Sequence, residues 1–219
     1  MSAEQPLSSP QSQPHTLEEA RAHYGNLTWD IAKLYPVQGA WSEWEYMELR
    51  PSRVVEYDHG FVEIHDGPSQ SHQLILAFLY QALLAFVTTH NLGTVLFAPL
   101  RVKLWLEKYR EPDIVFMFAQ NAARRGEDFW IGTDLAIEIV SEGERNRTRD
   151  LEEKRADYAK GGVPEYWIVD PQEQKITVLK LDGETYTVHG EFAPGATATS
   201  ALLDGFTVDV TAVFAAAKQ

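Results

Sequence analysis

Three residues of this sequence have the types and spacing to do chemistry together: Asp113, Glu138 and Lys154. Glu138 interrupts Leu135-Ala136-Ile137-Glu138-Ile139-Val140, a short apolar run that reads as a strand buried on both faces. A lone buried carboxylate is costly, so Glu138 must be metal-bound, ion-paired, protonated or set at the open end of the strand. Asp113 follows Pro112 and opens a second apolar run over residues 114–118. Pro-Asp by itself is a common turn dipeptide. It gains meaning from Glu138, because neighbouring strands lie about 4.8 Å apart and two carboxylates so placed can converge on one hard cation. Two oxygens completed by water suit magnesium.

Lys154 falls on a predicted helix over residues 148–160, where Leu151, Lys154, Arg155 and Tyr158 follow the i, i+3, i+4, i+7 rule and form an inward stripe. Two readings stand for it. It pairs with Asp150 one turn earlier and snorkels to water, or it reaches the carboxylates and there stabilises a developing oxyanion or helps deprotonate a metal-bound water. His72 and Glu63 are further candidates beside the metal. The ordinary reading of His72, in the first turn of an apolar helix, is a satisfied core histidine. That of Glu63 is an exposed strand position.

The elements that must position these groups emerge from periodicity and punctuation. Residues 1–16 are polar and rich in Pro, Ser and Gln, a disordered lead-in without the basic and apolar regions of a signal peptide. A capped amphipathic helix over 16–33 comes next and counts as an accessory. The Asp58-His59-Gly60 turn inside residues 53–64 predicts a hairpin. Residues 70–90 make a long buried helix, and residues 94–106 and 114–118 two strands joined through a polar loop at 107–110. Residues 135–140 give a strand, 148–160 a helix closed by Gly161-Gly162, and 166–169 and 176–181 two strands around Asp170-Pro171. An edge strand at 206–210 and a short closing helix at 213–217 end the chain. This order predicts an α/β (α+β) fold with a central mixed β-sheet flanked by helices, organised as one domain over residues 17–219 with an N-terminal helical and hairpin extension.

Composition narrows the function. There is no cysteine, which removes disulfides, thiolate zinc sites and a cysteine nucleophile. No catalytic triad, phosphate-loop glycine pattern or His-rich zinc spacing occurs. The apolar run over residues 74–87 is shorter than the roughly 20 residues that cross a bilayer, so the expectation is a soluble cytoplasmic protein with no membrane partner. A net charge of −13 opposes a surface that grips nucleic acid everywhere. Residues 101–160, however, hold 12 of the 19 Lys and Arg against 13 acidic residues, so a bound divalent cation would turn that segment net positive and confine polyanion binding to one cleft.

The run Glu111-Pro112-Asp113, then residues 134–141 around Glu138, then Arg149-Asp150-Leu151-Glu152-Glu153-Lys154, then Gly162-Val163-Pro164-Glu165-Tyr166-Trp167-Ile168-Val169-Asp170-Pro171, resembles the Uma-type restriction endonucleases of the PD-(D/E)XK superfamily. The resemblance covers about residues 45–214 and is strongest over 111–171. It implies a restriction-endonuclease-like core and a Mg²⁺-dependent (or Mn²⁺-dependent) endodeoxyribonuclease that hydrolyses phosphodiester bonds of DNA. It further implies Asp113 and Glu138 as metal ligands, and a homodimer. Glu63 and His72 fall near further family positions. The superfamily lysine, two residues after the acid, is replaced here by Val140, so the amine implied by the resemblance is Lys154 on the following helix. A catalytically silent nuclease-fold module that binds nucleic acid or a partner protein is the alternative expectation, and an acidic scaffold for a basic protein a third.

Overall fold

The computed structural model describes residues 34–49 and 53–218. The chain divides into two units, residues 1–37 and 38–219, and every described helix and strand lies in the second. The expected lead-in over 1–16 and the accessory helix over 16–33 lie outside the described residues.

The mixed sheet carries the fold. Six strands run in the order β11-β10-β9-β8-β6-β3, where β3 is Gly93–Phe97, β6 Ile114–Phe118, β8 Leu135–Ile139, β9 Glu165–Asp170, β10 Lys175–Asp182 and β11 Thr185–Phe192. Within this sheet only the central β8–β9 pair is parallel. Parallel neighbours need a long crossover, and here it is helical: α3 (Glu144–Thr148), a π-helical turn (Arg149–Glu153) and α4 (Lys154–Lys160). Strand β8 is buried throughout, and its residues alternate between two cores. Leu135, Ile137 and Ile139 join the larger cluster with α2 (Gln70–Thr89) and α5 (Val210–Ala216), whereas Ala136 and Val140 join Tyr158, Ala159 and Tyr166 beneath α4. By the same alternation Glu138 faces α4.

A second sheet of five strands, β2-β1-β5-β4-β7, comprises β1 (Val55–Asp58), β2 (Phe61–Ile64), β4 (Arg101–Trp105), β5 (Lys108–Arg110) and β7 (Phe129–Ile131). The β1–β2 hairpin turns through His59 and Gly60, both at positive φ, as a two-residue loop of that hand requires. A short helix, α1 (Glu43–Glu48), is fixed by a reciprocal cap in which Ser42 Oγ accepts from the Glu45 N–H while the Glu45 carboxylate accepts from the Ser42 N–H. Tyr46 on that helix packs on Tyr57 and Tyr109, all three fully enclosed. A two-stranded pair, β12 (Thr197–Thr199) with β13 (Thr207–Asp209), completes the described strands.

Several expectations are corrected. Residues 94–106 do not make one strand: the chain leaves the six-stranded sheet after Phe97 and enters the other at Arg101. Residues 108–110 are not a polar loop but the buried strand β5, whose Lys108 and Arg110 are tolerated because each meets carboxylates. Strand β11 carries no sequence signal, since most of its residues are exposed. The helix α2, of mean hydropathy 1.4, is long and apolar enough by length and composition to cross a membrane. Here its buried face, from Ile75 to Val87, packs into the larger core cluster.

Glu165 opens β9 with no exposure and accepts from Trp167 Nε1 (2.6 Å), Ser200 Oγ (2.7 Å) and the Ala201 and Leu202 N–H groups (2.6 and 2.7 Å). Glu165→Leu strands these donors, and a loss of about 3–5 kcal/mol of unfolding free energy is expected in urea denaturation. An unchanged midpoint would deny this carboxylate its role as a structural anchor.

Candidate active site

Antiparallel register sets the two acids side by side. Ile114 pairs with Ile137 across β6 and β8, so Asp113, one residue before β6, stands opposite Glu138. Asp113 Oδ2 accepts from the Ile139 N–H (2.7 Å) and lies 3.2 Å from His72 Nε2 at the start of α2. Glu138 Oε1 accepts from the Tyr158 hydroxyl (2.6 Å) and from Lys154 Nζ (2.9 Å), both presented by α4. The π-helical turn before α4 brings Asp150, Lys154 and Tyr158 onto the inward face. Leu151 and Arg155 of the predicted stripe are only partly covered. Lys154 is thus an inward residue that meets both predicted partners, Glu138 and, at 3.6 Å, Asp150.

Sequence reasoning missed Glu56. It lies on β1 at 2% exposure, with Oε1 3.6 Å from Lys154 Nζ, and pairs with Arg110, which also binds Asp157. The signal was present: Val54-Val55-Glu56-Tyr57 is an acid inside an apolar run, the same anomaly that marked Glu138. Arg110 was missed as well, because a short buried strand of polar residues reads as a loop, whereas Tyr158 was read as an inward residue without a partner.

The electrostatics arise from burial opposed by charge. Burial raises the Glu138 carboxyl, Lys154 lowers it, and Asp113, Asp150 and Glu56 raise it again, leaving it at about 8. Burial also raises Asp113, but His72 and Lys154 outweigh it and hold this carboxyl below its ordinary range. Burial pushes Lys154 down, and the surrounding carboxylates more than reverse that, so the ammonium stays charged. His72 is raised on balance, its burial outweighed by Asp113. Glu56 is held well below its ordinary value against burial, by Lys154 and Arg110.

Asp113 Oδ1 and Glu138 Oε2 accept no hydrogen bond among the described residues, whereas their sister oxygens are each engaged twice. Burial first, and then the charges of Asp113, Asp150 and Glu56, favour the protonated form of Glu138, and a divalent ion held by both carboxylates would offset that. His72 Nδ1, buried and without a hydrogen-bond partner, is a further polar atom at this site.

Above these groups opens a cavity of about 840 Å³. Glu56, His65, His72 and Arg149 line it, whereas Asp113, Glu138 and Lys154 stand behind that wall. Glu63 also lines it but makes no contact with Asp113 or Glu138. Instead its carboxylate faces Arg145 and Arg149, and with Glu56 and His65 it forms a group whose ligand atoms lie within 4.8 Å of one another. Arg149 donates to His65 Nδ1 (2.7 Å), so a neutral ring carries its proton on Nε2, facing Glu56 at 3.2 Å. Neither imidazole nitrogen of that group offers a free lone pair to a metal while Arg149 remains in place.

The mixed sheet with its one helical βαβ connection, and the acid pair and inward lysine at that crossover, can be set beside known proteins. The profile of the Uma2 family, described as "Putative restriction endonuclease", matches residues 41–211, and this chain belongs to that family. A crystal structure described as a putative nuclease belonging to DUF820, from Anabaena variabilis, superposes with a TM-score of 0.66 at 18% identity, covering 83% of this chain and 99% of that one. At that identity the likeness establishes the fold. No curated protein matches the sequence.

Two outcomes are expected of the network. Lys154→Met leaves Glu138, Glu56 and Asp150 without their shared cation and should cost about 3–5 kcal/mol in denaturant unfolding, more than Glu138→Gln. The reverse ranking would show that Lys154 is not the central charge. The pH dependence has a definite sign. Between the ordinary value of 4.5 and about 8, the folded chain holds a proton on Glu138 that the unfolded chain has released, so stability falls as pH rises through that window. Melting temperatures measured across it should fall less steeply in Glu138→Gln, with Glu111, whose carboxyl burial raises to about 7, keeping part of the slope, and an identical slope in both proteins would contradict the assignment.

Proposed function

We propose that this protein is a divalent-metal-dependent endonuclease that hydrolyses phosphodiester bonds of DNA, with Asp113 and Glu138 as the metal ligands and Lys154 as the charged partner of the reaction. The observation that carries this reading is the pair of facing carboxylates, each with one unused oxygen, joined to an inward ammonium. Magnesium or manganese, held by Asp113 and Glu138, would supply Lewis acidity toward the scissile phosphate and a lowered pKa for the attacking water. The chain's own groups act around that centre. His72 and the Ile139 N–H hold Asp113 in place, and Tyr158 and Lys154 orient Glu138. Lys154, kept protonated by its acidic neighbours, serves as a fixed positive charge near the developing oxyanion and not as a base.

A second reading has its own observation. Because the acid pair and Lys154 lie behind the cavity wall, and Val140 takes the position of the superfamily's strand lysine, a catalytically silent nuclease-fold module that binds nucleic acid or a protein is the alternative.

The deciding experiment incubates purified protein with plasmid and single-stranded DNA in Mg²⁺ or Mn²⁺. Nicking is expected, reduced roughly 100-fold or more in Asp113→Asn, Glu138→Gln and Lys154→Met. Absence of cleavage in every condition, with calorimetry detecting no cation affinity that depends on Asp113, would favour the silent module.

A further inference from the structure

The cavity carries two arginines that the acid pair does not use. Arg145 and Arg149 are four residues apart on α3 and the π-helical turn, hence on one face, whereas Arg147 between them is taken by Asp170 at the end of β9. Both lining arginines meet Glu63 of β2: Arg145 Nη2 lies 3.1 Å from Glu63 Oε1, and Arg149 Nη1 lies 3.9 Å from it. Their settings differ. The Arg149 side chain is 10% exposed and held by Asp150 Oδ1 (3.2 Å) and His65 Nδ1 (2.7 Å), while its Nη2 makes no hydrogen bond among the described residues. The Arg145 side chain is 86% exposed, and Glu63 is its one ion-pair partner among the described residues.

Resting on the nuclease reading for the kind of ligand, we propose that Arg145 and Arg149 form a clamp for a backbone phosphate of nucleic acid, which Glu63 occupies as an internal carboxylate until the phosphate displaces it. The guanidinium fork accepts carboxylate and phosphate oxygens in the same geometry. The Glu63–Arg145 pair is solvent-exposed and therefore weak, so exchange of one anion for the other needs no rearrangement of the core. Arg149 stays anchored through Asp150, which lies 3.6 Å from Lys154, so a phosphate seated on it is tied to the same charge network as Glu138.

The test is fluorescence anisotropy of a fluorescein-labelled oligonucleotide, single- and double-stranded, titrated with full-length protein in EDTA over a series of salt concentrations. Glu63→Gln is expected to tighten binding roughly 2- to 5-fold. Arg145→Gln should weaken it about 5-fold and make the log–log salt slope shallower by about 0.9 on duplex, and it should abolish the gain from Glu63→Gln in the double variant. Arg149→Gln is expected to act in the same direction, and the exposed Arg145 keeps the test independent of any folding defect there. Unchanged or weaker binding by Glu63→Gln, an unchanged slope in Arg145→Gln, or no binding by the parent protein at low salt overturns the clamp. Because no cation or cleavage is involved, an inert nuclease assay beside the expected anisotropy pattern would reject hydrolysis and leave the clamp standing.

Discussion

The arrangement of this protein depends on one ammonium among four carboxylates. Lys154 touches Glu138, Glu56 and Asp150 directly and feels Asp113, and it is almost completely removed from water. Such a cluster is unfavourable for either sign alone, since the desolvation of each charge exceeds what any single partner returns. It persists because three structural layers deliver partners to the same point: β1 brings Glu56, the β6–β8 pair brings the two acids, and the crossover helix brings Lys154 with Asp150. Removing any layer leaves charge buried without compensation. The five-stranded sheet is therefore more than an appendage to the mixed one, because its β1 and β5 carry Glu56 and Arg110 into the network.

Much of the mixed sheet was legible because the buried strands are apolar on both faces and the crossover helix has a clear period. Glu138 was legible for the opposite reason, as a carboxylate that the apolar pattern cannot accommodate unaided. Asp113 became readable only through Glu138, and the register explains why: the two are opposite residues on paired strands. The features that stayed hidden are settled by pairing and not by local preference. Lys108-Tyr109-Arg110 has the composition of a loop, yet is a core strand because Asp58, Glu56 and Asp157 neutralise it. The break between β3 and β4 is likewise a choice between two sheets that neither flank announces. Glu63 was a candidate on the condition that the first hairpin borders the site; the hairpin does line the cavity, and there Glu63 meets Arg145 and lies with Glu56 and His65.

Family membership and the geometry bear on different questions. The first places the chain in a family described as "Putative restriction endonuclease". The second gives an acid pair set behind the cavity wall, each acid with one oxygen that accepts no hydrogen bond among the described residues, beside a buried lysine. The wall of Glu56, His72 and Arg149 between that pair and the cavity is built from buried side-chain ion pairs, which salt screens far less than it screens exposed ones.

The π-helical turn at Arg149–Glu153 has an evolutionary corollary. Such a turn amounts to one residue inserted into an α-helix, and each α-helical residue advances the chain by about 100° around the axis. Deleting a single residue there would restore a regular helix while swinging Lys154 and Tyr158 about a quarter-turn off Glu138, with the rest of the domain still able to form. A one-codon deletion in this segment would therefore take away the Lys154 and Tyr158 contacts to Glu138 together, where a single substitution takes away one.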